Sequence, residues 1–227
     1  MNNWPIEAKV GQMMMFGFSG TSVPDYIRKF IQEYNLGGII MFSRNIDSAA
    51  QIAELNSTLQ KLALDSPFGV GLFISIDQEG GQVIRIKDGV SAAPAAMAVG
   101  ALASPDRAYQ IGKVVGEELA SLGFSINLAP CVDVNNNPHN PVIGVRSFGE
   151  DPELVADLGE ATIKGLQESV LATAKHFPGH GDTAVDSHYG LPVINHARER
   201  LEQVELLPFR RAIASGVQGI LSSHVVF

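Results

Sequence analysis

The chain has 227 residues, of which 45% are hydrophobic and 18% charged, so it can bury a core and is not an intrinsically disordered chain. Its net charge is −8, with acidic and basic residues mixed along the chain, which argues against a nucleic-acid partner or an anionic membrane surface. The single cysteine, Cys131, excludes an internal disulfide and is expected to be a buried small hydrophobic residue. The N-terminal segment has no basic stretch and only a short apolar run, so we expect no signal peptide, no membrane span and a cytoplasmic protein.

Apolar runs typical of strands alternate along the chain with amphipathic runs typical of helices. The predicted strands lie at residues 10–18, 37–43, 71–77, 124–134, 170–177 and 217–227. The predicted helices lie at residues 24–34, 48–64, 103–122, 151–169 and 198–215, and QVIRI (82–86) is compatible with a short hairpin. Ser104-Pro105 and Asp151-Pro152 supply an N-cap and a first-turn proline. Because the strands are near-continuous apolar runs, they predict a parallel sheet covered by helices on both faces.

Polar residues are concentrated at the carboxyl ends of the predicted strands. They are Ser-Arg after the second strand, DQEGG after the third, DVNNNP after the fourth, KHFPGHGD after the fifth and Ser-Ser-His within the sixth. A (β/α)8 barrel builds its active site at that end of every strand, whereas a doubly wound sheet binds at one switch point. The pattern therefore predicts an α/β fold of the (β/α)8 TIM-type barrel class. With six predicted strands, we expect residues 1–227 to form a single catalytic barrel domain truncated after strand six and incomplete at its C-terminus.

The stretch KHFPGHGDTAVDSHYG (175–190) crowds titratable groups onto one Pro- and Gly-containing loop, which a metal site, an acid/base device or a solvated polar loop would each explain. The residues of this loop whose side chains could bind a metal are His176, His180, Asp182, Asp186 and His188. Their spacing matches no familiar zinc pattern, so we expect no metal and no cofactor. Asp186 precedes His188 by two residues, so the carboxylate could orient the imidazole and raise its pKa. Lys175 and His176 would point in opposite directions in a regular strand, so a bulge or a strand end is needed for both to reach one ligand.

KHFPGHGDT followed by DSH, with DQEGG and GVRSFGEDP upstream, resembles glycoside hydrolase family 3 over essentially the whole chain. More narrowly, the sequence is similar to the β-N-acetylhexosaminidase branch, which releases terminal β-linked N-acetylglucosamine. The DSH element carries this distinction, because the β-glucosidase branch takes its acid/base glutamate from a separate domain. The resemblance implies a glycosidase of carbohydrate metabolism, in peptidoglycan recycling or chitin turnover. Its substrates would be N-acetylglucosaminides, muropeptides or chitin fragments, with no nucleic-acid or membrane partner.

The resemblance also implies the roles of individual residues. His188 is the implied general acid/base and Asp186 its partner. The implied sugar-binding residues are Asp77, Arg85, Arg146, Lys175 and His176. For Arg146 an exposed ion pair with Glu150 or Asp151 is the alternative, and Arg85 could equally lie in an exposed hairpin. Glu79 and Asp133 are candidates for supporting the residues that bind the sugar.

A retaining glycosidase also needs a carboxylate nucleophile. In this family it is an aspartate after strand seven, so we expect it beyond residue 227, with Asp77 as the best candidate within the chain. A histidine acid removes one negative charge from the acceptor side, so a β-N-acetylglucosaminide phosphorylase on the same fold remains open. A metal-dependent hydrolase and a non-catalytic sugar-binding fragment also remain open. We expect the 227-residue piece alone to be inactive, and to be poorly stable or to associate with a complementary segment.

Overall fold

A computed structural model of the chain describes residues 4–183, 190 and 192–226. Its residues group into two compact units. The first comprises residues 1–77, 85–90 and 118–126, and the second comprises residues 78–84, 91–117 and 127–227. Within the described residues, no helix is both long enough and apolar enough to cross a bilayer.

The first unit is built from short parallel strands that pair in chain order, each preceded by a helix. Its strands are β1 (Met15–Phe16), β2 (Gly38–Met41) and β3 (Phe73–Ile76). Its helices are α1 (Ile6–Gly11), α2 (Asp25–Tyr34) and α3 (Ala49–Leu64). The Ser48 hydroxyl accepts from the Gln51 amide and so starts α3. Asn35 in the left-handed conformation ends α2.

The core of the first unit consists of aliphatic side chains from these strands and from the inner faces of the helices. Ile39, Met41, Ile74 and Ile76 are fully buried on neighbouring strands. Both β2 and β3 are buried on both faces along most of their length, as expected for a parallel sheet between helices.

The second unit continues the same alternation. Its helices are α4 (Ala96–Leu102), α5 (Pro105–Ser121), α6 (Pro152–Leu166), α7 (Arg198–Gln203) and α8 (Leu207–Ala214). Its strands are β4 (Ile126–Asn127), β5 (Leu171–Phe177) and β6 (Gly219–Ser222). The last residues of α5 and the first residue of β4 belong to the first unit. Asp151 caps α6 ahead of Pro152, and α6 packs on both α8 and β5.

β5 carries the feature that matters most for the site. It pairs in parallel with β6, and the register slips by one residue between Lys175 and Phe177, leaving His176 as the extra residue. On its other side the Lys175 amide donates to the Pro130 carbonyl, and Val132 donates to the Lys175 carbonyl. The Lys175–His176 peptide is cis. The sequence required a bulge or a strand end at this pair, and the bulge is present.

The predicted fold class is confirmed, since six parallel strands follow one another in the described part of the chain with helices between them, as in a (β/α)8 barrel. Two element predictions are wrong. Residues 10–14 lie at the end of α1 and in the turn after it rather than in a strand. The single helix predicted at 198–215 is two helices, because Pro208 fits the start of a helix but not its interior. Helix α4 was missed, and only the isolated Gly80–Val83 bridge stands where a hairpin was considered.

Candidate active site

A buried carboxylate in the second unit holds two cations at the ends of its strands. Glu79 Oε1 lies 2.5 Å from Lys175 Nζ and 2.7 Å from Arg146 Nη2, and Glu79 Oε2 accepts from Arg146 Nε at 2.9 Å. The Glu79 and Lys175 side chains are only 6% and 2% exposed. Arg146 therefore binds Glu79 through a bidentate ion pair, which fixes the plane of the Arg146 guanidinium.

The charges in this cluster stabilise one another. Burial alone would raise the pKa of Glu79, but the hydrogen bond from Arg146 and the charge of Lys175 outweigh it and lower that pKa. Burial alone would lower the pKa of Arg146, but the hydrogen bond to Glu79 reverses this and raises it. Glu79 is thus ionised, and it compensates two cations that would otherwise be buried at great cost.

A second buried carboxylate, Asp133, lies beside the first cluster and accepts from four donors. His176 Nδ1 is 2.6 Å from Oδ2, and the backbone amides of His176 and His180 lie 3.2 Å and 2.6 Å from its oxygens. The fourth donor is the Cys131 thiol, 3.1 Å from Oδ2. The remaining ring nitrogen of His176, Nε2, is 3.3 Å from Arg146 Nη2, so the two carboxylates belong to one continuous network.

Asp133 is ionised despite being completely buried. Desolvation by burial would raise its pKa, but the electrostatic attraction of the His176 ring and the hydrogen bonds from His176, Cys131 and His180 bring it down to about 2. Burial and the charge of Asp133 raise the pKa of the Cys131 thiol well above its ordinary value. Cys131 is therefore a protonated donor to Asp133, and the prediction that it is buried is confirmed.

The first half of the loop after β5 is held against the loop after β4. The Asn140 amide donates to the carbonyls of His180 and Gly181, at 2.8 Å and 2.9 Å, and to Thr183 Oγ1 at 3.3 Å. A Cβ on Gly181 would come within 1.7 Å of the Val134 carbonyl oxygen, so only glycine allows this approach. The composition of PGHGDT suggests a flexible segment, but its residues are largely buried and bonded.

Asp77 and Arg85 are brought together in the first unit. Arg85 Nη2 lies 3.0 Å from Asp77 Oδ2. The Arg85 side chain is 28% exposed and the Asp77 side chain is 15% exposed. Arg85 thus joins an acidic strand end rather than a fully exposed hairpin. Their partial exposure leaves both side chains accessible to a polar ligand.

The structure joins some of the predicted site residues and does not describe others. Arg146, Lys175 and His176 share one network, and Arg146 pairs with Glu79 instead of Glu150 or Asp151. Asp186 and His188 lie outside the described residues, so their predicted roles stay predictions. Sequence reasoning gave Glu79 only a supporting role, although its position two residues after Asp77 at the end of a strand was the signal for its central place.

Two groups of described residues have the donor atoms that metals use, each within 4.8 Å of one another. The first is Cys131, Asp133 and His176. In this arrangement burial keeps the thiol protonated, and Asp133 accepts hydrogen bonds from four donors. The group as it stands is a hydrogen-bonded cluster centred on Asp133.

The second group is Asp182, His196 and Glu205. His196 Nε2 contacts Asp182, and the guanidinium of Arg200 lies 3.3 Å from Glu205 and 3.8 Å from Asp182. Arg200 thus already supplies the positive charge that a metal would bring. These residues fit an ion-pair network rather than a metal site.

The family model described as the glycosyl hydrolase family 3 N terminal domain matches residues 5–227. The chain is 43% identical over 213 residues to β-hexosaminidase A of Pseudoalteromonas piscicida, covering 91% of this chain and 36% of that protein. It is 36% identical to a β-hexosaminidase of Nitrosomonas eutropha, covering 94% of this chain and 62% of that protein. The chain thus spans between about a third and two thirds of these relatives.

Among solved structures, the chain resembles a glycoside hydrolase family 3 β-N-acetylglucosaminidase from Paenibacillus sp. str. FPU-7. The TM-score is 0.96 at 51% sequence identity, over 99% of this chain and 43% of that one.

Proposed function

Since the chain belongs to glycosyl hydrolase family 3, we propose that the whole protein removes terminal β-linked N-acetylglucosamine from glycosides by a retaining mechanism. The names of its relatives, β-hexosaminidase and β-N-acetylglucosaminidase, support this substrate class. A cytoplasmic location and a role in peptidoglycan recycling are further parts of the proposal that rest on the sequence alone.

The observation that carries the proposal is the buried network around Glu79. It holds Lys175, Arg146 and His176 at one end of the strands with their rotamers fixed by charge and hydrogen bonds. Sugar hydroxyls are recognised by such preorganised donors, because little entropy is lost when the sugar binds. We assign these residues to binding of the N-acetylglucosamine ring, and on the family resemblance alone we assign Asp77 and Arg85 to sugar binding as well.

We assign the proton transfers to His188, with Asp186 holding its imidazole. An imidazole oriented by a carboxylate can give a proton to the leaving oxygen and later take one from water. The segment through Thr183 is anchored by Asn140, so this pair follows a fixed part of the chain.

We propose that the carboxylate nucleophile comes from outside these 227 residues. The carboxylates of the described network are already committed: Glu79 to two cations and Asp133 to four donors. Asp77, the best candidate within the chain, is paired with Arg85. A nucleophile must instead approach the anomeric carbon with a lone pair available.

The test uses the whole protein with aryl N-acetyl-β-glucosaminides. We expect release of the aryl group and, by NMR, a sugar product that first appears as the β-anomer, as retention requires. His188→Ala should lower kcat by about 10²- to 10⁴-fold, and less for the more acidic phenols, which need less protonation. His139→Ala, on an exposed loop residue, is the matched control and should leave the rate unchanged.

An unaltered rate in His188→Ala would remove the acid/base assignment. A product that appears first as the α-anomer would remove the retaining mechanism. The same reactions run with and without inorganic phosphate distinguish hydrolysis from phosphorolysis, because a phosphorylase would produce sugar 1-phosphate.

A further inference from the structure

We propose that Asp133 is a positioning residue that couples sugar binding to proton transfer, because its one carboxylate orients His176 and also anchors the segment leading to Asp186 and His188. This inference rests on the proposed function. It assigns to Asp133 no contact with substrate.

The first half of the coupling is the orientation of His176. Its ring donates from Nδ1 to Asp133 Oδ2, and its backbone amide faces the same carboxylate, so both the ring and the chain are held. Arg146 approaches the other ring nitrogen, Nε2, at 3.3 Å. A guanidinium can only donate, so this contact is a hydrogen bond only when Nε2 carries no proton. The geometry therefore assigns the neutral tautomer with the proton on Nδ1.

The second half is the position of the loop. Asp133 Oδ1 accepts from the His180 amide at 2.6 Å, the shortest of its contacts with backbone groups. One residue later, Gly181 rests on the Val134 carbonyl, directly after Asp133 in the chain. Asp186 lies six residues after His180, and His188 lies eight residues after it. The contact between His180 and Asp133 therefore fixes the start of the loop that leads to the acid/base pair.

An ionised carboxylate is needed for this double role. Three N–H groups and one S–H group converge on two oxygens, and Asp133 has no hydrogen to donate in return. An asparagine in the same place would present an NH₂ group to at least one of these donors. Asp133→Asn therefore keeps the side-chain volume but disrupts either the His176 contact or the His180 contact.

The kinetic test uses Asp133→Asn in the whole protein on an aryl N-acetyl-β-glucosaminide. We expect KM to rise and kcat to fall, each by about tenfold or more, as expected from loss of a charge-assisted hydrogen bond. In a His176→Ala background, Asp133→Asn should no longer raise KM but should still lower kcat. His139→Ala, at an exposed loop residue outside the network, is the matched control, with KM and kcat within about twofold of wild type.

A purely structural role would lower the amount of folded enzyme and leave KM unchanged, and that result would overturn the proposal. So would a rise in KM that is the same with and without the His176 side chain. Normal kcat in Asp133→Asn would overturn the coupling to the loop.

A spectroscopic measurement on the unmodified protein keeps the proposal testable even if Asp133→Asn does not fold. Histidine-selective ¹⁵N labelling distinguishes protonated from unprotonated ring nitrogens, and His176→Gln identifies the His176 signals. We expect the proton on Nδ1 at neutral pH. A proton on Nε2 would overturn the proposal. This measurement needs no turnover, so failure of the proposed function, seen as absence of glycosidase activity, remains distinguishable from failure of this inference.

Discussion

Glu79→Gln tests the electrostatics of the site most directly. The substitution keeps the shape and removes the charge that faces both Lys175 and Arg146, which are 2% and 12% exposed. Breaking a buried ion pair by removing one partner costs about 3–5 kcal/mol, because the remaining charge has no compensation. The glutamine amide oxygen can still accept one hydrogen bond from these cations, so the lower end of that range is the more appropriate value.

The expected loss translates into a thermal shift that calorimetry resolves. About 3 kcal/mol corresponds to a fall in Tm of roughly 6–12 °C for a domain of this size. The matched control is Glu160→Gln, which removes an i,i+4 partner of Lys164 on the surface of α6 and should cost about 0.5 kcal/mol or less. Equal melting temperatures for the two variants would refute the account of Glu79 as the charge that holds the site together.

The pH dependence provides an independent check. The pKa of Glu79 is lowered in the folded state from its ordinary value of 4.5. Its contribution to stability is therefore complete above that value and is lost as the pH falls through the folded-state pKa. The acid side of the Tm profile should be shallower in Glu79→Gln than in the wild-type protein.

Four further outcomes are expected. Arg85→Ala should raise KM by about 10- to 100-fold with less effect in Arg85→Lys, which keeps a charge beside Asp77; equal KM values in steady-state assays would contradict a sugar-binding role. Burial lowers the pKa of His180, so its neutral form contributes stability that is complete above its ordinary value of 6.5 and is lost at lower pH. His180→Gln should therefore make Tm less dependent on pH below that value, as measured by calorimetry. Gly181→Ala should displace the loop from Val134 and lower kcat, and a normal rate would contradict this arrangement of the loop. Exhaustive chelation should leave the wild-type rate unchanged, and loss of activity would contradict a site that works without a metal.

The strands and most helices were predictable because their signals are local. Ser48 and Asp151 are of residue types that favour the N-cap position, and both begin helices where the sequence predicts them. The strand predicted at 10–18 contains β1 but starts too early, because an apolar run of this length suits a helix end as well as a strand. Pro208, which divides the helix predicted at 198–215, is a local signal of the same kind, and it marks the start of α8.

The sequence predicted which residues belong to the site, but not which of them form ion pairs or hydrogen bonds with one another. Spacing placed Arg146, Lys175 and His176 at strand ends, but it gave no way to choose between Glu79 and Glu150 as the partner of Arg146. Such pairings depend on which side chains meet across different strands, and sequence separation does not report that. The four donors on Asp133 include two backbone amides, whose directions depend on the path of the chain at and after the bulge, and the sequence indicated the position of the bulge but not that path.

Asn140, which ties the loop after β5 to the loop after β4, has a consequence for the chemical lifetime of the protein. Its side-chain oxygen accepts from the amides of Val142 and Ile143, and its nitrogen faces two carbonyls and a hydroxyl. Deamidation to aspartate would turn a carboxylate toward those oxygens and release the loop. That ageing reaction begins with attack by the next backbone nitrogen, and here the next residue is Pro141, whose nitrogen carries no hydrogen. The asparagine on which the loop depends is thus one that spontaneous ageing should spare.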